Sequence, residues 1–378
     1  MGQLPEVALV GARGVSRFGQ GGRLEGSGMW EGGPTIESSQ QTVARPTTAS
    51  RALVTGVGGF IGSHLAEALV GQGVDVVGID RRCPERDAAA ADNLAGLISQ
   101  PAFRLVVADL NDADLLPWLH GVQTVYHLAG VAGVRGSWGV RFANYVAANL
   151  LATQRVLEAC VTAAVPRLIL ASSSSVYGQS CGRPSREGDP TRPVSPYGVT
   201  KLAAEQLALA YALRPGAPTS VVALRCFTVY GPRQRPDMAI SRLLNAALTG
   251  QPVRLYGDGS QRRNFTYVSD TVAAALAAAA VNAHAEVVNV AGGRSVALHE
   301  VVRIVAAVTG QSVSVLDGVD RPGDVGQTHA DLTRAAALLG YQPAVSLTEG
   351  IGRQWAWVTC PPRSARSWQA ALMTSREP

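Results

Sequence analysis

Lysine is nearly absent from this sequence. Of its 33 basic residues only one is a lysine, Lys201, and the rest are arginine. A drift that put arginine everywhere else spared one ammonium, four residues after a tyrosine, so Lys201 marks a position whose chemistry needs it. Cysteine is scarce too: Cys83, Cys160, Cys181, Cys226 and Cys360 are scattered and odd in number. They form no CxxC pair, and the six histidines show no metal-ligand spacing, which predicts no disulfide framework and no metal site. Long apolar runs are missing. No charge-free stretch reaches the roughly 18–20 residues that cross a bilayer, and the short Ala-rich run 272–281 reads as a packed core helix. The N-terminus has no basic region followed by an apolar run and a cleavage site, so no secretory leader is expected. The formal charge is only +5, without a basic run or an aromatic-basic alternation, which argues against a nucleic-acid track. Together these absences predict a cytoplasmic protein with no membrane segment.

What is present is core-forming material: 378 residues, 47% of them hydrophobic. That is enough for one large domain and a smaller one. Residues 1–50 are rich in Gly, Ser, Thr and Gln without periodicity, and a disordered extension is expected there. From Arg51 the pattern changes. Strands are expected at 52–55, 74–79, 103–108, 124–128, 167–172, 220–227 and 287–290. Helices are expected at 63–71 and 150–164, with another opening near Tyr197 after Pro196. Strands alternating with helices imply βαβ units, an α/β class and a doubly wound, mostly parallel sheet. After Gly231 the chain is richer in Pro, Gly and Arg and reads as less regular. The expected division is a cofactor domain over 51–229, rejoined by 264–292. A smaller C-terminal substrate-binding domain takes 230–263 and 293–358, and 359–378 is a flexible tail.

The segment Gly56-Val57-Gly58-Gly59-Phe60-Ile61-Gly62 follows a strand and opens a helix. Glycines there allow a tight turn and close approach to a pyrophosphate, which a helix N-terminus favours through its free N–H groups and dipole. The second strand ends in Asp80, at the distance expected of an acid that bonds the adenosine ribose hydroxyls. Its charge repels a 2′-phosphate and favours NAD over NADP, although Arg81 and Arg82 offer an anion contact beside it. Asp109-Leu110 follows the third strand, where the acid can bond an adenine amine or simply cap the strand end. This is a Rossmann-type cofactor domain. Its expected NAD contacts are Gly56, Gly59, Phe60, Ile61, Gly62, Asp80, Asp109, Leu110, Leu128, Ala129, Tyr197 and Lys201.

Three further segments follow in order: Ser172-Ser173-Ser174-Ser175-Val176-Tyr177-Gly178 at a strand end, Tyr197-Gly198-Val199-Thr200-Lys201 opening a helix, and Arg225-Cys226-Phe227-Thr228-Val229-Tyr230-Gly231-Pro232. The i, i+4 spacing puts Tyr197 and Lys201 on one helix face. A nearby ammonium stabilises phenolate and lowers a tyrosine pKa from its usual ~10. Such a tyrosine can take a proton from an alcohol, with a serine hydroxyl steadying the same oxygen.

These segments resemble the extended short-chain dehydrogenase/reductases of the NAD-dependent epimerase/dehydratase family, which act on nucleotide sugars. The likeness runs from Leu53 to Trp357, about four-fifths of the chain, and includes Asn264-Phe265-Thr266-Tyr267-Val268. It aligns Ser173 with the family's catalytic Ser/Thr, with Ser174 as runner-up, and Tyr197 and Lys201 with the family pair. Dehydratases of this family carry Asp-Glu before Val-Tyr-Gly, and decarboxylases usually a Glu. Here the residues are Ser174-Ser175. Without those carboxylates the simplest cycle is oxidation at C4, rotation of the 4-keto sugar and reduction from the other face, a 4-epimerisation. Residues 231–238 and 133–138 resemble UDP-glucuronate 4-epimerases, which implies UDP-glucuronate as substrate. A UDP-glucose-type 4-epimerase, a 4-ketoreductase and a UDP-glucuronate decarboxylase are the alternatives. The likeness sets Arg135, Ser174, Thr228 and Arg235 near the substrate and gives Arg263 and Arg321 its pyrophosphate. Cys226 replaces a usual aromatic and is expected to alter packing rather than chemistry. Val288 is small at a position that can limit substituent size in related epimerases. A homodimer through the helices at 150–164 and from Tyr197 is also implied.

Overall fold

The computed structural model describes residues 50–360, apart from 181, 256, 317 and 319–321. Seven strands form the main sheet in the order β10-β6-β5-β4-β1-β2-β3, every pair parallel. They are β1 (Arg51–Thr55), β2 (Asp75–Asp80), β3 (Phe103–Val107), β4 (Thr124–His127), β5 (Arg167–Ser173), β6 (Ser220–Cys226) and, after three strands outside this sheet, β10 (Ala285–Val290). The six expected N-terminal strands are present within a residue or two, and the expected strand at 287–290 is the C-terminal part of β10. Parallel neighbours need crossovers, and the helices supply them. These are α1 (Phe60–Gly71), α2 (Ala88–Leu94), α3 (Leu116–Leu119), α4 (Phe142–Val146), α5 (Ala152–Thr162) and α6 (Pro196–Leu213). A π-helical turn, Ala147–Leu151, joins α4 to α5.

Alternation along the strands splits the core into two layers. Ala52, Val54 and Val76 pack on one face with Leu65 and Leu69 of α1 and with Val272, Ala275 and Ala278. Leu53, Val77 and Val125 pack on the other with Val156, Leu157 and Cys160 of α5 and Ala208 and Ala212 of α6. The Ala-rich run expected as a packed helix is α8 (Val268–Ala280), whose small side chains lie buried against the sheet.

Beyond Gly231 the chain is more regular than its composition predicts. It forms α7 (Ala239–Thr249), α9 (Leu298–Thr309), α10 (Thr333–Leu339) and α11 (Leu347–Thr359). A small sheet of β11 (Ser295–Ala297), β9 (Arg262–Tyr267) and β7 (Thr228–Tyr230) and a pair β8 (Val253–Arg254) with β12 (Val315–Leu316) accompany them. Tyr230, Leu243, Leu244, Val301 and Ile351 centre a third core there.

Candidate active site

Because the seven strands are parallel, their C-terminal ends open on one side. Their order reverses between β1 and β4, and a crevice lies at such a switch point. The glycine turn follows β1, Asp80 ends β2, Leu128 and Ala129 follow β4, Ser173 ends β5 and Cys226 ends β6. Topology alone gathers most of the predicted residues at this edge.

Gly56 has φ +70, and its N–H donates to the Ile79 carbonyl at 2.7 Å. A Cβ on Gly62 would lie 2.2 Å from the Gly56 oxygen, so only glycine lets α1 start this close. Helix α1 has no side-chain cap and no acid in its first turn, which leaves its N-terminal field to an anion. Phe60 and Ile61 pack their side chains against the third core. Buried Asp80 accepts from the Gly58 N–H (2.9 Å), the Arg82 N–H (2.9 Å) and the Arg82 guanidinium (3.2 and 3.3 Å). Asp109 makes the strand-end cap, accepting from the Asn111 N–H at 3.0 Å, and meets Arg81 at 3.8 Å. The Leu110 side chain is in the core. The Leu128 and Ala129 N–H groups both donate to the Thr55 hydroxyl at 3.2 Å.

Helix α6 starts cleanly, with the Ser195 hydroxyl accepting from the Gly198 N–H (3.1 Å) and Pro196 in its first turn. Tyr197 sits in that turn and Lys201 one turn later. The Ser173 hydroxyl lies near enough to the Tyr197 phenol to lower its pKa, and Ser173 accepts from the Ser175 N–H at 3.1 Å. Loss of hydration raises the Tyr197 phenol above its usual range, while the neighbouring Ser173 hydroxyl and the charge of Arg235 oppose that rise. Lys201 is 9% exposed, and burial draws its ammonium down to about 8 against the opposing influence of Cys226 and Glu205. Cys226 packs against two cores, as a packing role requires, and burial pushes its thiol up to about 12, so it stays uncharged beside Tyr197 and Lys201. It is a wall of the site as well as packing. Val288, by contrast, is fully buried in the sheet core. Its size sets packing there.

The arginines fall in two groups. Arg235 grips Asp237 (2.9 and 2.8 Å) and the Ala132 carbonyl (3.2 Å), and its charge reaches Tyr197. Arg135 pairs with Asp324 at 3.1 Å. Arg263 donates to the Arg262 carbonyl at 2.9 Å and feels both Asp324 and Arg135. Half-buried Thr228 is on β7, and half-buried Ser174 is in the short turn after β5. Arg321 lies outside the described residues.

Sequence reasoning missed the polar chain behind the site. Thr55 meets His127 Nδ1 (2.7 Å), and His127 Nε2 meets Thr153 (3.0 Å). Thr153 donates to the Asn149 carbonyl (2.7 Å), and Asn149 donates to the Thr200 hydroxyl (3.0 Å). Burial and the Lys201 charge hold His127 at about 3, so its ring is neutral. It missed Glu205 as well, although the spacing of one turn from Lys201 was available. Glu205 takes a two-pronged bond from Arg225 (2.6 and 3.0 Å) and one from the Ser172 hydroxyl (2.6 Å).

The sequence profile of the NAD dependent epimerase/dehydratase family matches residues 52–291. The chain belongs to that family. Three similar members frame it. A Bacillus subtilis (strain 168) protein, named as the uncharacterized UDP-glucose epimerase YtcB, is 41% identical over 311 residues, 81% of this chain and 97% of its own. MoeE5 is 47% identical, with a TM-score of 0.76, covering 82% of this chain and 99% of its own. It has been solved with UDP-glucuronic acid and NAD and with UDP-glucose and NAD. The UDP-glucuronic acid 4-epimerase of Bacillus cereus, solved with UDP-glucuronic acid and NAD, is 38% identical, with a TM-score of 0.78 over 82% of this chain and 99% of its own. The switch-point crevice of this epimerase/dehydratase family member thus carries the glycine turn, the Ser173–Tyr197 contact and the buried ammonium on one edge of the sheet.

Proposed function

We propose that the protein is a nucleotide-sugar 4-epimerase that interconverts UDP-glucuronate and UDP-galacturonate with bound NAD. The observation that carries this is the placing of Ser173, at the end of β5, beside Tyr197 and the buried Lys201 of α6, with serines rather than carboxylates at positions 174 and 175. The site fits NAD. Gly56 and Gly62 leave backbone room that a Cβ would fill, α1 offers an uncapped N-terminus, and Asp80 ends β2. Gly56, Gly59, Gly62, Asp80, Ala129, Tyr197 and Lys201 would hold it. When bound, NAD supplies the oxidation of C4 and the matching reduction, so none is consumed.

The chain's own residues do the proton work. Tyr197 takes the C4 hydroxyl proton and later returns it. Lys201 stabilises the phenolate, and Ser173 donates to the reacting oxygen. A carboxylate on C5 beside a 4-keto group makes a β-keto acid, which can lose CO₂. Holding that bond near the plane of the carbonyl prevents the loss. Ser174, Thr228 and Arg235 are the residues for this, and Arg135, Arg263 and Arg321 serve the diphosphate. MoeE5, solved with both sugars, supports a second reading in which UDP-glucose is epimerised at the same site.

The same proposal divides the chain into a cofactor lobe (51–229 with 264–292) and a substrate lobe (230–263 with 293–358). It makes the enzyme a cytoplasmic homodimer. Four unbridged cysteines among the described residues support a reducing compartment, and exposed Leu151, Val199 and Leu213 near and on the two expected helices support self-association. Light scattering should return twice the chain mass, and a monomeric mass would refute the dimer.

Activity is tested by incubating the enzyme with UDP-glucuronate and following product by NMR and NADH by absorbance. UDP-galacturonate should form without net NADH. Tyr197→Phe should lower kcat by about 10²–10⁴-fold while leaving NAD and nucleotide-sugar binding intact. A UDP-pentose product would indicate decarboxylation, stoichiometric use of added NADH a ketoreductase, and turnover of UDP-glucose alone the second reading.

A further inference from the structure

Tyr145 is the aromatic neighbour of Tyr197. Their ring centroids are 6.2 Å apart at 74°, an edge-to-face contact, and Tyr145 is 5% exposed. Its phenol is occupied elsewhere: it donates to the Gly133 carbonyl at 2.9 Å. One side chain therefore joins the Tyr197 ring to a loop that follows β4.

That loop is seated peptide by peptide. The Asn149 side chain accepts from the Val131 N–H (2.7 Å) and donates to the Val131 carbonyl (3.1 Å). Arg235 donates to the Ala132 carbonyl (3.2 Å), Tyr145 to that of Gly133, and the Ser137 hydroxyl to that of Val134 (2.6 Å). Gly133 has φ +117, and a Cβ there would lie 3.4 Å from the Arg235 guanidinium. A Cβ on Gly136 would lie 3.0 Å from the Tyr145 oxygen. The loop is thus shaped around two side chains, Arg235 on the substrate side and Tyr145 on the Tyr197 side. Tyr145 and Asn149 are one helical turn apart, so the same segment holds the loop and touches the reacting tyrosine.

We propose that Tyr145 is a positioning residue that fixes the ring of Tyr197 and couples it to the seating of the loop 131–137. An anionic sugar that engages Arg235 bears on the Ala132 and Gly133 peptides, and Tyr145 passes their position to the phenol. Substrate anchoring and alignment of the proton-transfer group are then one event. A ring that only filled space would have no need of a hydroxyl tied to the loop.

The inference rests on Tyr197 being the proton-transfer group, so Tyr197→Phe is assayed in parallel. The variants are Tyr145→Leu, which removes the ring, and Tyr145→Phe, which keeps the ring and removes the bond to Gly133. All are measured as NAD-loaded enzymes on the nucleotide sugar that the wild type epimerises. Misplacing a reacting group by about 1 Å costs on the order of 10²-fold. Tyr145→Leu should therefore lose about 10²-fold in kcat with KM within about threefold, and Tyr145→Phe about three- to tenfold. Loss of the loop bond alone should still lower kcat several-fold at unchanged KM. The role is overturned if Tyr145→Leu keeps kcat within about threefold, or if kcat and KM fail together in both variants. Should Tyr145→Leu not fold, Tyr145→Phe decides, and a kcat within about twofold of wild type overturns the role. A Tyr197→Phe enzyme that still turns over would sink the functional reading itself. A dead Tyr197→Phe beside a fully active Tyr145→Leu would sink only this one.

Discussion

At Lys201 the usual ammonium pKa of 10.5 is drawn down to about 8, because burial strips its hydration and the nearby Glu205 only partly offsets that loss. The chemistry needs the charge there, and the fold resists it. Below about pH 8 the folded and unfolded chains both carry the proton, and the whole penalty is present. Between about 8 and 10.5 the unfolded chain binds a proton that the folded chain has shed, so stability rises with pH. Above that range the penalty is gone. The difference of about 2.5 units corresponds to about 3 kcal/mol. Cofactor-free Lys201→Met is therefore expected to be about 2–3 kcal/mol more stable than wild type at pH 7, with the gap closing as pH approaches 10.5. Urea unfolding across pH measures this, and a variant less stable at pH 7 contradicts it. Turnover moves the other way, because methionine cannot stabilise a phenolate.

At the scale of elements, the first six strands of the sheet were legible because each is a short apolar run, and Gly56, Asp80, Asp109 and Ser173 close or follow four of them. Those closing residues are the site, so reading the strands nearly reads the crevice. Two features escaped for different reasons. The helices beyond Gly231 were masked by composition, yet their period is plain: Ile240, Leu243, Leu244 and Ala247 of α7 are all buried at i, i+3, i+4 and i+7. Counting periodicity instead of Pro and Gly would have found them. The π-helical turn at Ala147–Leu151 was not legible at all. It is held by tertiary bonds of Asn149 to Val131 and Thr200, residues 18 and 51 positions away, and no local pattern encodes those. The same holds for the bond between Arg82 and Asp80. Two neighbouring residues with opposite charge were visible in the sequence, but that the arginine folds back over the acid depends on the Gly58 turn beneath it.

For the whole molecule, the decisive contact is the buried Arg225–Glu205 pair, with side chains 4% and 0% exposed. Ser172 of β5, Arg225 of β6 and Glu205 of α6 meet there, each next to or one turn from Ser173, Cys226 and Lys201 respectively. The guanidinium also lies over the Tyr177 ring at 4.7 Å and donates to the Glu187 carbonyl at 3.1 Å. Glu187 in turn accepts from the Asn289 N–H (2.8 Å), which brings in β10. The pair is thus the node where separate strands and the helix bearing Tyr197 are held in register. A buried pair gives little net stability against a hydrophobic replacement, but breaking one side strands the other charge. Glu205→Gln is expected to cost about 3–5 kcal/mol, because Arg225 keeps its charge with no carboxylate to receive it. Replacing both, Glu205→Met with Arg225→Met, should recover a large part of that loss. Urea unfolding of the two single variants and the double closes the cycle. A double variant whose loss equals the sum of the single losses would mean that the two side chains are not coupled, and that register is held elsewhere.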